Sequence, residues 1–210
     1  KRQITGVSGP YKQGATATIT ATFTEDLTTT PKISISGVSS VAATNMATTV
    51  SANVFTYAYT APSGNGTETI VFSVGTDAAG NVVTAAPSSG ATFTVDNTAP
   101  SISAVTQVAT PSNVLTPSYV FTTDEAGTIT TNITEGFSTS ASAAIGSNTV
   151  TFNTLGAGSY ADKTITLTDA AGNASSLTLT TFVIDTTSPT GAITGVSGPY
   201  KQGATATITA

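Results

Sequence analysis

The sequence has no cysteine, histidine or tryptophan, and only 8% of its 210 residues are charged. Without cysteine and histidine, zinc sites of the usual kind, thiol nucleophiles and serine–histidine relays are excluded. Disulfides are excluded as well, so packed cores or bound ions must supply the stability. Six basic residues against eleven acids give a net charge of −5. This balance offers no electrostatic footprint for nucleic acid, and we expect no such partner.

Long apolar runs are also missing. No stretch approaches the ~18 consecutive apolar residues of a transmembrane helix, so we expect no membrane span in this segment. Threonine and valine, which favour strands, are abundant, whereas leucine and lysine, which are common in helices, are scarce. The content of aromatic and β-branched residues is too high for a disordered linker. The composition therefore predicts an all-β chain.

The chain restarts its own first motif near its end. Ile193 to Ala210 repeats Ile4 to Ala21 letter for letter, as ITGVSGPYKQGATATITA. The restart lies about 190 residues further along, which is too long for a solenoid repeat and suits two small domains. We therefore expect a segment of a tandem array, in which neighbouring repeats of the same protein are the main partners.

Two further pairs of motifs divide the chain. TDAAGN occurs at Thr76–Asn81 and Thr168–Asn173, and acidic, proline-terminated linkers occur at Val95–Pro100 and Ile184–Pro189. The boundaries predict domain 1 at 1–97, domain 2 at 98–186, and the start of a third domain, a copy of the first, at 187–210. Domains of about 95 and 90 residues are typical of β-sandwiches.

Within each predicted domain, apolar and polar residues alternate with a period of two. Residues 15–24 place Ala15, Ala17, Ile19, Ala21 and Phe23 on one face and threonines on the other. Residues 54–60 and 164–168 repeat this pattern, and glycine- and asparagine-rich turns separate the runs. Alternation of this kind is typical of half-buried strands. Several short strands per domain favour a sandwich of two antiparallel sheets.

The motifs GPYKQG, TATFTED, DAAGN and VDNTAP, taken together, resemble the bacterial immunoglobulin-like repeats of giant surface adhesins and surface-layer proteins. The resemblance covers the whole chain, although SAVTQVATPSNVLTP replaces the GPYKQG segment at the start of the second unit. It implies tandem immunoglobulin-like β-sandwich domains in an extended array, located outside the cell at the cell surface. It also implies calcium at the junctions between domains.

The acidic residues are concentrated in three recurring places. Eight of the eleven lie at the end of a predicted second strand, at the start of DAAGN, or in a linker. In an immunoglobulin-like sandwich, all three places lie at the pole where the chain enters the domain. The residues that should therefore converge at the junction between the two domains are Asp96, Asn97, Asp124, Glu125 and Asp169. Because close carboxylates repel unless a cation joins them, this group predicts a Ca²⁺ site.

The remaining recurring acids form incomplete groups. Glu25, Asp26 and Asp77 lack a linker aspartate before residue 1, and Asp185 lacks loops after residue 210. We expect these four to be half-sites. The alternative for each motif is local turn chemistry, since aspartate forms Asx-turns and Gly-Asn tolerates positive φ.

These observations favour a structural function, as a stalk, fibre or surface-layer building block rigidified by calcium. The alternative is an adhesive or carbohydrate-binding module, although the chain has no tryptophan to form a sugar platform. An enzyme would need an acid pair acting as a hydrolase. The acids instead recur at predicted junctions, so we expect no enzymatic activity. End-to-end and lateral self-assembly are both left open.

Overall fold

The computed structural model describes residues 2–83, 86–139, 141–195 and 197–209. Throughout these ranges the secondary structure consists of β-strands and turns, and every pairing between named strands is antiparallel. The described ranges hold no helix that is long and apolar enough to cross a membrane. The chain is therefore all-β, as its composition predicts.

The first unit, residues 2–97, contains eight strands. Their bounds are β1 Gln3–Thr5, β2 Thr16–Thr22, β3 Pro31–Ser36, β4 Ser40–Asn45, β5 Ala47–Thr48, β6 Val54–Thr60, β7 Gly66–Val74 and β8 Thr92–Val95. One sheet has the order β1-β2-β6-β5 and the other β4-β3-β7-β8. These are the A-B-E-D and C′-C-F-G orders of an immunoglobulin-like sandwich.

The alternating pattern of residues 15–24, which contain β2, builds the first core. Ile19, Ala21 and Phe23 are buried, Ala15 and Ala17 are half-buried, and the intervening threonines face outward. Phe23 packs edge-on against an aromatic ring of β6 at 5.9 Å and lies 5.5 Å from a ring of β7, between centroids. One strand therefore joins the two sheets through its apolar face.

A buried carboxyl group lies in the same core. Glu68 on β7 has no exposed surface, and its Oε1 accepts hydrogen bonds from the Tyr59 hydroxyl at 2.9 Å and the Ser39 amide at 2.8 Å. Burial, followed by the hydrogen bond to Glu68, raises the pKa of the Tyr59 hydroxyl above its usual value. Among the described residues, Glu68 Oε2 has no hydrogen-bond partner. The first core is thus organised around a polar group that depends on two donors.

The second unit, residues 98–186, repeats the architecture. Its strands are β9 Ile102–Thr106, β10 Ser118–Thr123, β11 Gly127–Thr131, β12 Ser142–Ala143, β13 Gly146–Thr151, β14 Gly158–Tyr160, β15 Thr164–Thr168, β16 Ala174–Thr178 and β17 Phe182–Ile184. The sheets have the orders β13-β10-β9 and β12-β11-β15-β16, and β14 pairs with β17 as a separate ribbon. Its core is a cluster of its own, centred on Tyr119, Phe121, Phe152 and Phe182.

The start of the second unit follows the first more closely than its sequence indicates. In the first unit the Tyr11 amide donates to Thr94 O at 3.0 Å, and the Tyr11 carbonyl accepts from the Asp96 amide at 3.0 Å. Ser112 makes the same two backbone bonds, with Val183 O at 3.0 Å and the Asp185 amide at 2.9 Å. The segment TPSNV therefore takes the place of GPYKQ, beside the last strand at the pole where the chain leaves the unit.

The repeated motif after the second unit keeps its local structure. The Ser197 amide donates to the Tyr200 hydroxyl at 2.9 Å, as the Ser8 amide does to the Tyr11 hydroxyl at 3.1 Å. The described residues between 187 and 209 are all exposed, and Thr194 pairs with Thr209 in an isolated bridge. That this segment begins a third domain stays a prediction.

Candidate metal centre

In both Asp-Ala-Ala-Gly-Asn motifs, the aspartate carboxylate accepts hydrogen bonds from two amides of the hairpin turn and from the asparagine side chain. In the second unit, Asp169 Oδ1 accepts from the Gly172 amide at 2.7 Å and the Asn173 amide at 2.8 Å, and Oδ2 accepts from Asn173 Nδ2 at 2.8 Å. In the first unit, Asp77 Oδ1 accepts from two turn amides at 2.9 Å, and Oδ2 accepts from Asn81 Nδ2 at 2.8 Å. The turn therefore needs this aspartate in both units, with or without an ion.

The linker aspartate is also held by a local turn. Asp96 Oδ1 accepts from the Thr98 amide at 3.0 Å, and the Asp96 carbonyl accepts from Asn173 Nδ2 at 3.0 Å. The second of these bonds joins the linker to the hairpin of the second unit. Asn173 is only 4% exposed, so the linker covers this side chain.

Three carboxylates converge where the linker meets the second unit. One oxygen each of Asp96, Glu125 and Asp169 lies within 4.8 Å of the other two, and all three residues are half-buried. Desolvation raises the pKa of the Glu125 carboxyl, and the nearby charges of Asp96, Asp169 and Asp124 raise it further. Within the described ranges, no hydrogen bond to the Glu125 carboxylate is found. This group has surplus negative charge and free acceptor capacity.

The spacing and chemistry of these oxygens suit Ca²⁺. Calcium binds oxygen at 2.3–2.6 Å, so ligand atoms on opposite sides of the ion lie about 5 Å apart. The three carboxylate oxygens, all within 4.8 Å of one another, are therefore close enough to bind a single calcium ion.

Asp124 and Asn97, also assigned to this site from the sequence, have other partners. Asp124 Oδ1 accepts from the Ser101 amide at 2.7 Å, which ties the linker to the second unit. Asn97 binds the first unit: its Oδ1 accepts from the Gln13 amide at 2.6 Å, and its Nδ2 donates to Pro62 O at 3.3 Å. These two residues anchor the linker at either side; Asp124 is not among the three converging carboxylates, and that Asn97 contributes to the site stays a prediction.

The acids at the entry pole of the first unit are partly brought together. Glu25 and Asp77 line one cavity of about 280 Å³, together with Arg2, and Asp26 is not among its lining residues. Hydrogen bonds, first from the Asn81 side chain and also from Glu25, lower the pKa of the Asp77 carboxyl. Glu25 follows the buried Phe23 by two residues and lies beside Asp77, as Glu125 follows the buried Thr123 and lies beside Asp169, so Glu25 is the equivalent of Glu125.

The last linker repeats the turn of the first. Asp185 Oδ1 accepts from the Thr187 amide at 2.8 Å, as Asp96 does from Thr98, and Asp185 is exposed. No acidic group joins it in the described part of the chain. That the exposed acids are half-sites stays a prediction.

One contact across the junction could not be predicted from the spacing of the motifs. Lys12 Nζ, in the first unit, donates to Gly172 O in the hairpin of the second unit at 3.3 Å. The two residues are 160 positions apart, so no local pattern connects them. No signal for it was present in the sequence, since Lys12 lies in a stretch that Ile193–Ala210 repeats in full. The junction thus has a cationic side chain beside the turn that holds Asp169.

Among known proteins, this chain is similar only to solved structures, and that similarity is in the fold. Fibronectin(III)-like modules of Clostridium thermocellum CbhA align with a TM-score of 0.47 at 11% identity, over 88% of this chain and 94% of that one. A chimeric titin Z1Z2-Z1Z2 tandem aligns with a TM-score of 0.29 at 11% identity, over 87% and 97%. Salmonella alpha-2-macroglobulin reacted with methylamine aligns with a TM-score of 0.31 at 10% identity, over 88% of this chain and 15% of that one.

No family model and no curated protein match the sequence. The strand order of the two units, rather than any one of these alignments, identifies the immunoglobulin-like sandwich. Membership of the surface-adhesin or surface-layer repeats stays a prediction.

Proposed function

We propose that this chain is a structural segment of an extracellular tandem array, a stalk, fibre or surface-layer building block whose junctions are rigidified by calcium. The observation that supports the proposal is the convergence of Asp96, Glu125 and Asp169 within 4.8 Å. They come from the linker, from the loop after β10 and from the β15–β16 hairpin. An ion among them would join three separately positioned pieces of chain.

The expected affinity suits a location outside the cell. The three carboxylates are half-buried, and water would supply the remaining ligands of an ion that takes 6–8 oxygens. Sites with few protein ligands in extracellular modules bind calcium at about 10⁻⁴–10⁻³ M. We therefore propose that the junction is occupied where calcium is abundant and loses its ion where calcium is scarce.

The hydrogen bonds of the linker explain how an ion would stiffen the array. Asn97 fastens the linker to the first unit, and Asp124 fastens it to the second through Ser101. The linker is thus held at both sides, and the repulsion among the three acids opposes closure between them. Calcium would replace that repulsion with attraction and fix the angle between the units.

Calcium titration of the intact chain tests this function. Thermal unfolding followed in EDTA and then in rising calcium should show the second unit, which contains Glu125 and Asp169, becoming more stable. At a concentration of one hundred times the dissociation constant, the gain is about 2.7 kcal/mol. Small-angle scattering of the same samples should show a narrower range of inter-unit angles with calcium. Identical melting curves in EDTA and in 10 mM calcium, a concentration about tenfold above the weakest expected constant, would refute the calcium site.

A further inference from the structure

The backbone aligns the exit poles of the two units, where the chain leaves each sandwich, residue by residue. At each pole a glycine pairs with the last residue before the linker aspartate, as Gly66–Val95 and Gly158–Ile184. Tyr11 and Ser112 also make the same two backbone bonds beside the last strand. Three pairs of side chains therefore occupy equivalent places: Asn97 and Thr186 in the linkers, Asn65 and Ala157 before the paired glycines, and Lys12 and Asn113 beside the last strand.

Asparagine side chains fasten the linker to the first unit. The Gln13 amide donates to Asn97 Oδ1 at 2.6 Å, and Asn97 Nδ2 donates to Pro62 O at 3.3 Å. Asn65 holds two further groups of the linker, because its Oδ1 accepts from the Asn97 amide at 2.6 Å and its Nδ2 donates to Thr98 Oγ1 at 2.7 Å. All of these partners lie in the first unit or in the linker itself, so the fastening does not require the second unit.

The second unit has none of these side-chain bonds in the described part of the chain. Thr186 makes no hydrogen bond there, and Ala157 has no polar side chain. The Val114 amide, which is equivalent to that of Gln13, donates instead to the Ser112 hydroxyl at 3.1 Å. The two linkers share only the backbone bond of their aspartate amide and the turn that follows it. The linker after the second unit is therefore fastened at its first residue alone.

The contact across the joint differs as well. Lys12 Nζ reaches the Gly172 carbonyl of the following unit at 3.3 Å. Asn113 holds this place in the second unit, and its side chain is shorter and uncharged. In an array, the equivalent carbonyl of the next unit is that of Gly80, and the asparagine side chain would stop short of it. The joint after the second unit thus lacks this bond in addition to the bonds of the asparagines.

We propose that the linker after the second unit is a hinge, so that fastened and hinged joints alternate along the array. This inference rests on the proposed tandem array. Asn97, Asn65 and Lys12 make the two units of this chain one body, whereas few contacts hold the linker that begins at Asp185 to the unit before it. Calcium at the hinged joint would fasten that linker to the following unit only. The difference between the joints is therefore expected with and without calcium.

Distance distributions between pairs of spin labels test the hinge, because the chain has no cysteine of its own. The chain is extended by repeating residues 22–97 after Ala210, which completes another copy of the first unit. Thr69 and Ala161 are exposed and lie equally far along their strands from the paired glycines. Ala161→Cys is combined with Thr69→Cys in the first copy to span the fastened joint, or in the added copy to span the hinged joint.

We expect the distribution across the hinged joint to be at least twice as wide as that across the fastened joint. Equal widths in EDTA would overturn the hinge. A wider distribution at the hinged joint, together with no effect of calcium on melting, would support the hinge and refute only the calcium site. Calcium stabilisation with equal widths at the two joints would overturn the hinge alone.

Exchange of the fastening residues tests whether they cause the difference. Asn97→Thr with Asn65→Ala in the first copy should widen the distribution across the fastened joint. Thr186→Asn with Ala157→Asn should narrow the distribution across the hinged joint. Asn45→Ala is the matched control, since Asn45 is exposed on β4, and it should leave both widths unchanged. Unchanged widths in both exchanges would overturn the inference.

Discussion

Replacing Glu125 by glutamine should stabilise the ion-free protein and remove its response to calcium. One carboxylate oxygen of Glu125 lies within 4.8 Å of an oxygen of Asp96 and of Asp169. Desolvation and these neighbouring charges raise the pKa of the Glu125 carboxyl. A carboxyl group whose pKa is raised by folding binds its proton more tightly in the folded chain. Ionisation of Glu125 therefore costs stability as the pH rises from about 4.3, its usual value, through the folded pKa.

The size of the effect follows from the spacing. At 4.8 Å, the upper limit of the separation among these carboxylate oxygens, two unit charges repel by about 0.9 kcal/mol in bulk water and by about 3.5 kcal/mol at an effective dielectric constant of 20. Glu125 contributes to two of the three pairs, and all three half-buried residues keep some contact with water, so the lower figure applies. Glu125→Gln should therefore gain about 1–2 kcal/mol in EDTA at pH 7. Each kcal/mol raises the Tm of a unit of this size by about 4–8 °C.

The assay is thermal unfolding at pH 4 and pH 7, in EDTA and in calcium. Glu125→Gln should melt higher than the natural chain in EDTA at pH 7, differ little from it at pH 4, and gain little from calcium at either pH. Glu25→Gln is the matched control, since Glu25 holds the equivalent position in the first unit without a linker aspartate in this chain. A lower Tm for Glu125→Gln in EDTA at pH 7, or an undiminished calcium response, would refute the reasoning.

Two further substitutions test the contacts that hold the units. Lys12→Met should widen the range of angles between the two units in EDTA, measured by small-angle scattering, because it removes the bond to the Gly172 carbonyl. Lys201→Met, in the identical motif, should leave the scattering profile unchanged. Identical profiles for Lys12→Met and the natural chain would show that this bond does not hold the joint. Tyr59→Phe should destabilise the first unit by about 1–3 kcal/mol in urea unfolding, because it removes one of two donors to the buried Glu68. Tyr57→Phe, on the same strand and half-buried, should cost less than about 0.5 kcal/mol, and equal losses would contradict a special role for the Tyr59 hydroxyl.

The alternating strands and the meeting of the acids could be predicted from the sequence. The period of two in β2 placed Ile19, Ala21 and Phe23 in the core because strand side chains alternate between faces. The topology of a sandwich brings Asp96 and Asp169 to one pole, because the linker enters the second unit there and the β15–β16 hairpin lies at the same end. That Glu125 rather than Asp124 joins the group could also have been predicted. Side chains alternate between the two faces of a strand, so Glu125, two residues after the buried Thr123, lies on the same face as Thr123.

Other contacts could not be predicted because they depend on backbone geometry or on distant segments. The place of TPSNV is set by main-chain bonds of Ser112, which leave no side-chain signature in the sequence. Asn97 adjoins Asp96, yet its side chain binds Gln13 and Pro62 of the first unit, a choice that depends on how the linker leaves β8. The Lys12 contact requires the orientation of two whole units.

The hairpin aspartate has a consequence for how such an array could change over time. Asp169 is required by its turn, and Asp96 is held by its own turn with Thr98, so two of the three carboxylates are maintained by needs internal to the fold. Within the described ranges, the Glu125 carboxylate accepts no hydrogen bond that a turn of the fold requires. Under the proposed function, one codon per joint would then decide whether that joint is stiff or pliant. A long fibre could place its bends by substitutions at this position alone, with every sandwich left intact.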